Sequence, residues 1–224
     1  MARRVETNVE VGSDQDWRRC QPLELSPILT AALDAFDEKG FHGATVRDIA
    51  KRVGQTVPAL YYHHENKEAM FVALQDLGTN ELTWRVRTAV KAGGDRPDRQ
   101  FVNFIEAIVL QFAYRNRISA LDTEIRHLSP PSYRRHTARR KKIEAQLEGI
   151  VEAGTRDGSF RPTDPHETAR ALLGMCIAIP RWYHPGGPLT PQRLADRYVD
   201  IALMTVGANA SKSASASPRP DGGR

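Results

Sequence analysis

Cysteine and long apolar runs are both scarce in this chain. Only Cys20 and Cys176 occur among its 224 residues, which argues against a disulfide framework and favours a reducing compartment. No uninterrupted apolar stretch reaches the roughly 18 residues that would suggest a membrane span. The first residues, MARRVETNVEVGSDQDW, are polar and contain no apolar signal-peptide region. We therefore expect a cytoplasmic protein that does not associate with a membrane.

The motifs of the common enzyme classes are also missing. The sequence has no G-x-S-x-G, no glycine-rich phosphate loop, no metal-spaced histidine pair and no redox pair of cysteines. His63, His64 and Glu65 are adjacent, and neighbouring helical side chains diverge by about 100°, so they cannot readily converge on one ion. We predict no enzymatic activity, no cofactor and no metal, and we retain an enzyme acting on a thioester as a remote alternative.

The positive net charge gives little information about partners. The whole chain carries +5, yet Met1 to Met70 contain nine Lys and Arg against eleven Asp and Glu, a local balance of −2. Overall basicity therefore does not by itself indicate nucleic-acid binding. Local placement is more informative, because Arg47, Lys51, Arg52 and Lys67 outnumber the acidic residues within one short stretch.

That stretch begins with the pattern of a short amphipathic helix. Thr45 and Asp48 resemble a capping box, with Asp in place of the usual Glu. The apolar positions then recur at helical spacing, at Val46, Ile49, Ala50 and Val53. Gly54 ends the helix, because glycine adopts the left-handed conformation at no steric cost.

A second short helix follows after about three residues, which is the spacing of a helix-turn-helix. Thr56 caps it and Pro58 fits its first turn. Leu60 is its apolar anchor, whereas the adjacent Tyr61 and Tyr62 are difficult to place in a core. Tyrosine hydroxyls suit phosphate oxygens, and small neighbours allow a close approach to base edges. The pattern predicts a DNA-reading helix, with an ordinary helical hairpin as the alternative.

From Ile28 to Leu74 the chain resembles the amino-terminal domain of the TetR family of one-component transcriptional repressors. The resemblance rests on AALDAFDEKGFHGATVRDIA and PALYYHHENKEAM, and the sequence departs from the family pattern at Gln55 and His64. It implies a homodimer that binds a palindromic operator on double-stranded DNA, with the last two helices of each chain in the dimer interface. The DNA-contacting residues it implies, together with those favoured by the motif, are Thr45, Arg47, Thr56, Val57, Pro58, Ala59, Tyr61, Tyr62, His63 and Lys67.

The rest of the chain has the periodicity of a larger helical bundle. We predict a rod-like helix from Lys67 to about Val90, a helix from Asp98 to about Asn116 that is buried on every side, and a late helix kinked by Pro180. No strand alternation occurs, so the fold class is all-α: a three-helix head and a helical effector-binding and dimerisation domain. The predicted segments are a flexible N-terminal arm, the helix-turn-helix domain, the helical domain and a disordered tail, at residues 1–22, 23–68, 69–207 and 208–224.

Arginines of the predicted arm allow two interpretations. Arg3, Arg4, Arg18 and Arg19 could enter a minor groove, or they could be scattered charges of a disordered tail.

A candidate effector site follows from a change in one helical stripe. Toward the N-terminus, at helical spacing of three and four residues, the apolar stripe of Leu147 and Ile143 continues with Arg140 and His136. Because a stripe that is buried lower down becomes cationic there, it needs an anionic partner from the protein or from a ligand. ARALLGMCIAIPRWYHPGGPLTPQRLADRYVDIAL resembles the ligand domain of regulators that respond to acyl-coenzyme A thioesters, which implies such an effector. The predicted effector-binding residues are Phe104, Ile108, Phe112, His136, Arg140, Met175 and Trp182. The alternatives are a solvated helix face for the basic residues, plain core packing for the apolar ones, another hydrophobic effector, or a DNA-binding protein without an effector.

Overall fold

The protein is all-α over the part of the chain that the computed structural model describes, residues 16–208. No strand and no helix able to cross a membrane occurs within that range. The helices are α1 (Pro27–Gly43), α2 (Val46–Val53), α3 (Val57–His63), α4 (Lys67–Ala92), α5 (Pro97–Tyr114), α6 (Asn116–Ala120), α7 (Pro130–Arg156), α8 (Pro165–Ile177) and α9 (Pro191–Thr205). Short 3₁₀ segments, Leu121–His127 and Ile179–Arg181, follow α6 and α8. The predicted all-α fold is confirmed. Residues 1–15 of the predicted arm and 209–224 of the predicted tail lie outside the described range.

Helices α1 to α3 form a head that packs on the first half of α4. Phe71 of α4 meets Phe36 and Phe41 edge-on, with ring centroids 5.5 and 5.0 Å apart. The same apolar core takes in Leu121 and Leu128, which follow α6. The core of the head therefore continues past residue 68, where the sequence placed a domain boundary, because α4 belongs to both halves of the molecule.

Helix α5 is the centre of the body, which comprises α4 to α9. It packs against α4, α7, α8 and α9. Phe101, Phe104 and Ile105 are fully buried, and the neighbouring apolar positions are buried nearly as deeply. The structure thus places α5 where its all-round apolar pattern predicted, since a helix without a polar face can be stable only inside a bundle.

Residues 16–22 are packed on the body, so the prediction of a flexible arm extending to residue 22 is wrong for this part. The Trp17 side chain is 4% exposed and belongs to the apolar core of the body. The Arg18 guanidinium binds Glu106 at 2.8 Å, and the Tyr114 hydroxyl donates to the Arg18 carbonyl at 3.1 Å. One buried indole removes enough apolar surface from water to hold an otherwise polar segment in place.

The expected kink at Pro180 is also wrong. Helix α8 ends at Ile177, and Pro180 lies in the 3₁₀ segment that follows it. Proline has no backbone N–H, and its ring clashes with the carbonyl four residues earlier, so ending the helix before it avoids both costs.

Candidate functional site: an exposed recognition helix and an internal cavity

The capping box predicted at the start of α2 is present. The Thr45 hydroxyl accepts from the Asp48 backbone N–H at 3.1 Å, and the Asp48 carboxylate accepts from the Thr45 N–H at 3.0 Å. The Lys39 ammonium binds the other carboxylate oxygen at 2.9 Å. Lys39 and the Thr45 hydrogen bonds together lower the pKa of Asp48 to about 2. This set of bonds fixes the first turn of α2 and the direction in which Thr45 and Arg47 leave it.

The turn and α3 also form as the spacing predicted. Gly54 has a φ of 69°, the left-handed conformation that ends α2. The Thr56 hydroxyl accepts from the Ala59 N–H at 3.4 Å and caps α3. Only Leu60 is buried among the seven residues of α3, and it is fully buried. A short helix held by one apolar anchor must present its remaining side chains outward.

The outward face of α3 carries the two tyrosines. Tyr61 is 47% exposed and Tyr62 is 88% exposed, the highest exposure of any large apolar side chain described. His63 is exposed as well, with its ring 5.3 Å from that of Tyr62. Thr56 and Pro58 are exposed, and Val57 and Ala59 are half-buried between them. The residues predicted for a DNA-reading surface thus share one accessible face.

The cations around this face differ in whether they have an ion-pair partner in the protein. The Arg52 guanidinium binds both carboxylate oxygens of Glu38, one of them at 2.9 Å. Arg47 and Lys51 are exposed and have no ion-pair partner within residues 16–208. The local excess of cations noted in the sequence therefore leaves Arg47 and Lys51 available to an external anion.

Lys67 has partners within the protein that its sequence pattern did not indicate, and its predicted contact with DNA stays a prediction. Its ammonium donates to the carbonyl oxygens of Ala44 at 2.8 Å, of Phe41 and of His42, and it lies 4.6 Å from the centre of the Phe41 ring. Burial lowers the pKa of Lys67. A cation at the carbonyl end of α1 interacts favourably with the helix dipole. Lys67 accordingly joins α4 to α1 and sets the position of the head.

The body contains a cavity of about 240 Å³ that is lined by helices α4 to α8. Helix α4 lines it through Gln75, Gly78, Thr79 and Leu82. Helices α5 and α6, with the 3₁₀ segment after them, contribute Ile108, Gln111, Phe112, Ile118, Ser119 and Asp122. Helix α7 contributes His136, Arg139, Arg140, Ile143 and Glu144, and α8 contributes Arg170, Leu173, Gly174 and Ile177. A second pocket shares Ser119, Asp122, Arg140 and Ile177 with the first and adds Arg181.

Four of the seven predicted effector residues line this cavity, and three do not. Ile108, Phe112, His136 and Arg140 are in its wall. Phe104 is fully buried in the core of the body, away from the wall. Met175 is rotated about 100° from Gly174, which does face the cavity. Trp182 is 45% exposed and stacks on Tyr198, with ring centroids 6.4 Å apart. The assignment of Phe104, Met175 and Trp182 to the cavity is therefore corrected.

The most informative residues that the sequence reasoning missed are on α4. Gln75, Gly78, Thr79 and Leu82 have the spacing i, i+3, i+4 and i+7, which places them on one helical face. That face mixes an amide, a glycine and a hydroxyl with one leucine. Such a mixture is unusual for a core stripe, and it is the signal that could have pointed to a cavity.

The basic side chains of the α7 stripe have carboxylate partners within the protein. The Asp122 carboxylate binds His136 Nε2 at 2.8 Å and Arg140 Nη1 at 2.9 Å. Asp76 binds Arg139 at 2.5 Å. The anionic partner that the sequence required is thus supplied from the 3₁₀ segment and from α4. A ligand anion would bind by competing with, or rearranging, these pairs.

Comparison with known proteins gives a consistent result for both halves. Residues 28–74 match the family described as bacterial regulatory proteins, tetR family, and residues 94–206 match tetracyclin repressor-like, C-terminal domain. The HTH-type transcriptional repressor KstR2 of Rhodococcus jostii is 30% identical over 198 residues, covering 85% of this chain and 92% of that protein.

Two solved structures are similar along nearly their whole length. The ketosteroid transcriptional regulator KstR2 of Mycobacterium tuberculosis has a TM-score of 0.76 at 27% identity, covering 84% of this chain and 98% of that one. AibR, solved in complex with isovaleryl coenzyme A and operator DNA, has a TM-score of 0.71 at 25% identity, covering 81% and 97%. These relatives are regulators and not enzymes, as the sequence predicted for this protein. The chain belongs to the TetR family of transcriptional regulators.

Proposed function

We propose that this protein is a repressor that binds a palindromic operator as a homodimer through α2 and α3, and that a small effector in the body cavity releases it. The observation that carries the DNA-binding half is the outward face of α3, where Tyr61 and Tyr62 are exposed around the single anchor Leu60. The tyrosine hydroxyls can donate to phosphate oxygens, and a duplex groove accepts a helix of this size. The KstR2 relative is itself a transcriptional repressor, which supports the same direction of control.

The dimer is supported by the C-terminal end of the chain. Trp182, Ile201 and Met204 are large apolar side chains with 45%, 41% and 73% exposure. All three lie after α7, in the segment that the family resemblance assigns to the interface. A second copy would remove them from water. It would also present a second α3, so that two half-sites about one helical turn apart can be read together.

The effector is supported by the two-part character of the cavity. Leu82, Phe112, Ile143 and Leu173 are apolar, whereas His136, Arg139 and Arg140 are basic. An acyl-coenzyme A thioester joins an apolar acyl group to an anionic carrier and would match both parts. AibR was solved with isovaleryl coenzyme A, which supports this class. The pairing of His136 and Arg140 with Asp122 supports a second candidate, a hydrophobic effector without an anionic carrier.

Release requires that the effector favour one spacing of the two heads over another, because equal affinity for both would shift no population. Helix α4 is the candidate lever. It carries Lys67, which binds the end of α1, and it lines the cavity through Gln75 and Leu82. A change in the cavity that tilts α4 would therefore move the head.

The DNA-binding proposal is tested with Arg47→Ala on operator fragments selected from genomic DNA by the wild-type protein. We expect about tenfold weaker binding, because Arg47 is exposed and unpaired among the described residues. The slope of the logarithm of the binding constant against the logarithm of salt concentration should fall by about one, which corresponds to the loss of one phosphate contact. Arg87→Ala, which removes an exposed cation of α4 outside the head, is the matched control and should bind as wild type does. Equal affinity of Arg47→Ala and Arg87→Ala would contradict the proposed surface.

The effector proposal is tested by titrating the protein–operator complex with isovaleryl coenzyme A, free coenzyme A, isovalerate and the uncharged ester methyl isovalerate. Release by the thioester alone supports an acyl-coenzyme A effector. Release by an uncharged apolar compound at similar concentration favours the second candidate instead. Sedimentation of the free protein should give a dimer, and a monomer at micromolar concentration would contradict the two-fold part of the proposal.

A further inference from the structure

One polar group in the cavity wall has no partner in the protein. The Gln75 side chain is 7% exposed, and its Nε2 makes no hydrogen bond to any residue of the described range 16–208. Buried amide donors are almost always bonded, because an unpaired one loses its hydration without replacement. Gln75 is part of the cavity wall. The exception therefore lies where a ligand could supply the acceptor.

The other amide of the wall is bonded at both its oxygen and its nitrogen. Gln111 Oε1 accepts from the Arg85 Nε at 2.9 Å, and Gln111 Nε2 donates to the Gly78 carbonyl at 3.3 Å. Both bonds hold Gln111 in one orientation. Of the two cavity amides, Gln75 is thus the one whose Nε2 makes no hydrogen bond within residues 16–208, and Gln111 provides an internal comparison with the same chemistry.

Gln75 also lies at the end of the α4 lining that adjoins the basic helix α7, whereas Leu82 lies at the other end. Gln75 precedes Asp76, which binds Arg139 of the basic helix α7 at 2.5 Å. Leu82 lies seven residues further along the same face of α4, about 10.5 Å away at 1.5 Å per residue. A ligand with an anionic carrier near α7 and an acyl group near Leu82 would place its junction close to Gln75. In a thioester that junction is a carbonyl.

We propose that Gln75 is a specificity-determining residue whose amide N–H donates to a carbonyl oxygen of the effector. This inference rests on the proposed function, since it assumes that the effector occupies this cavity. The amide selects for a ligand with an acceptor at the junction, and it rejects an equally apolar ligand without one, because only the former satisfies the buried donor. In the free protein the same donor reduces stability, which is a cost retained for recognition.

The first experiment needs no ligand and compares the melting temperatures of Gln75→Met and Gln111→Met. Methionine has similar length and no donor. Gln75→Met should melt about 2 to 4 °C above wild type, because it removes an unsatisfied group. Gln111→Met should melt below wild type, because it leaves Arg85 and the Gly78 carbonyl without their partner. A fall for Gln75→Met comparable to that for Gln111→Met would overturn the proposal.

The second experiment measures binding of isovaleryl coenzyme A and of its thioether analogue, S-(3-methylbutyl) coenzyme A, in which CH₂ replaces the carbonyl. Wild type should bind the thioester about tenfold more tightly, and Gln75→Met should bind both alike. Equal binding of the two compounds by wild type overturns the role of Gln75. If wild type binds neither, the acyl-coenzyme A effector fails, and the melting temperatures alone decide whether Gln75 carries a free donor.

Discussion

The head and the body bury different kinds of side chain. The core of the head is built from apolar residues, with Phe36, Ile49 and Leu60 almost or fully removed from water. Among residues 16–208 the buried polar side chains all belong to the body: Gln75, Glu81, Arg85, Gln111, Arg115 and Ser159. An apolar core packs in one way and holds its shape, which suits a surface that must match a groove. A core with buried charges and a cavity has partners that can be exchanged.

The buried charges of the body form one network next to the cavity. The Glu81 carboxylate accepts from Arg85 at 3.0 Å and from Arg115 at 2.6 Å. Arg85 also donates to Gln111 in the cavity wall and to the carbonyl of Trp17, and Arg115 donates to the carbonyl of Gln21. Burial lowers the pKa of Arg115 and the Glu81 hydrogen bond raises it, with a raised pKa as the net result. The network thus ties the cavity wall, α4 and the segment leading into α1 together.

The largest effect should come from breaking this network. Glu81→Ala leaves two buried guanidinium groups without their carboxylate, and we expect a loss of about 3 to 5 kcal/mol of unfolding free energy. Denaturant unfolding followed by tryptophan fluorescence measures it, because Trp17, Trp84 and Trp182 all lie outside the head. The control is Glu167→Ala, which removes an exposed partner of Arg170 and should cost no more than about 0.5 kcal/mol. Similar losses for the two variants would mean that burial adds nothing to the Glu81 pairs.

The next effect should come from the anchor of the head. Leu60→Ala removes the one buried side chain of α3, at a cost toward the lower end of the 2 to 5 kcal/mol range, since so short a helix can relax. Operator binding should be lost with it. The Tyr62 side chain is 88% exposed. Tyr62→Ala should therefore weaken operator binding and leave the free energy of unfolding unchanged. A stability loss in Tyr62→Ala would show that this tyrosine packs inward after all.

A smaller effect should come from the contact between the lever and the cavity wall. A Cβ on Gly78 of α4 would lie 2.8 Å from Ile118 Cγ2 of α6. Gly78→Ala should therefore separate α4 from α6 at a cost of about 1 to 2 kcal/mol and alter operator affinity in the absence of effector. Gly149→Ala on α7, where the new Cβ meets nothing within 4 Å, should instead stabilise by about 0.5 to 1 kcal/mol. Unchanged operator affinity in Gly78→Ala would argue that α4 does not couple the two regions.

The contrast between the head and the body also explains which parts of the structure could be predicted from the sequence. The capping box of Thr45 and Asp48, the turn at Gly54 and the anchor Leu60 depend on residues three or four positions apart, so the sequence contains the whole pattern. The cavity depends on how five helices are rotated against each other, which no local pattern specifies. The local pattern therefore predicts Phe104 in the wall and does not predict Gln75, whereas the structure shows the reverse.

Two other features have the same origin. Lys67 binds carbonyls from 23 to 26 residues earlier in the chain, and this role within the protein has no signal in the local sequence. Trp17 stood in a polar stretch without periodicity, and only the fold supplies the core that receives it. In both cases a distant part of the chain decided the role of the residue.

The smallest effect should be a dependence of stability on acidic pH that arises from one residue of the head, Asp48. Asp48 has a pKa of about 2 in the folded protein against an ordinary value of 3.8, so its bonds to Lys39 and Thr45 favour the ionised form. A carboxyl group whose pKa is lowered by folding contributes its full stabilisation of the folded state at pH values above its unfolded pKa. For Asp48 this contribution is lost as the pH falls from about 4 to 2. NMR titration of the Asp48 carboxyl carbon measures it directly. Lys39→Met removes the largest of these interactions and should bring the pKa back toward 3.8. A wild-type value near 4 would contradict the capping geometry, and an unchanged value in Lys39→Met would assign the shift to Thr45 alone.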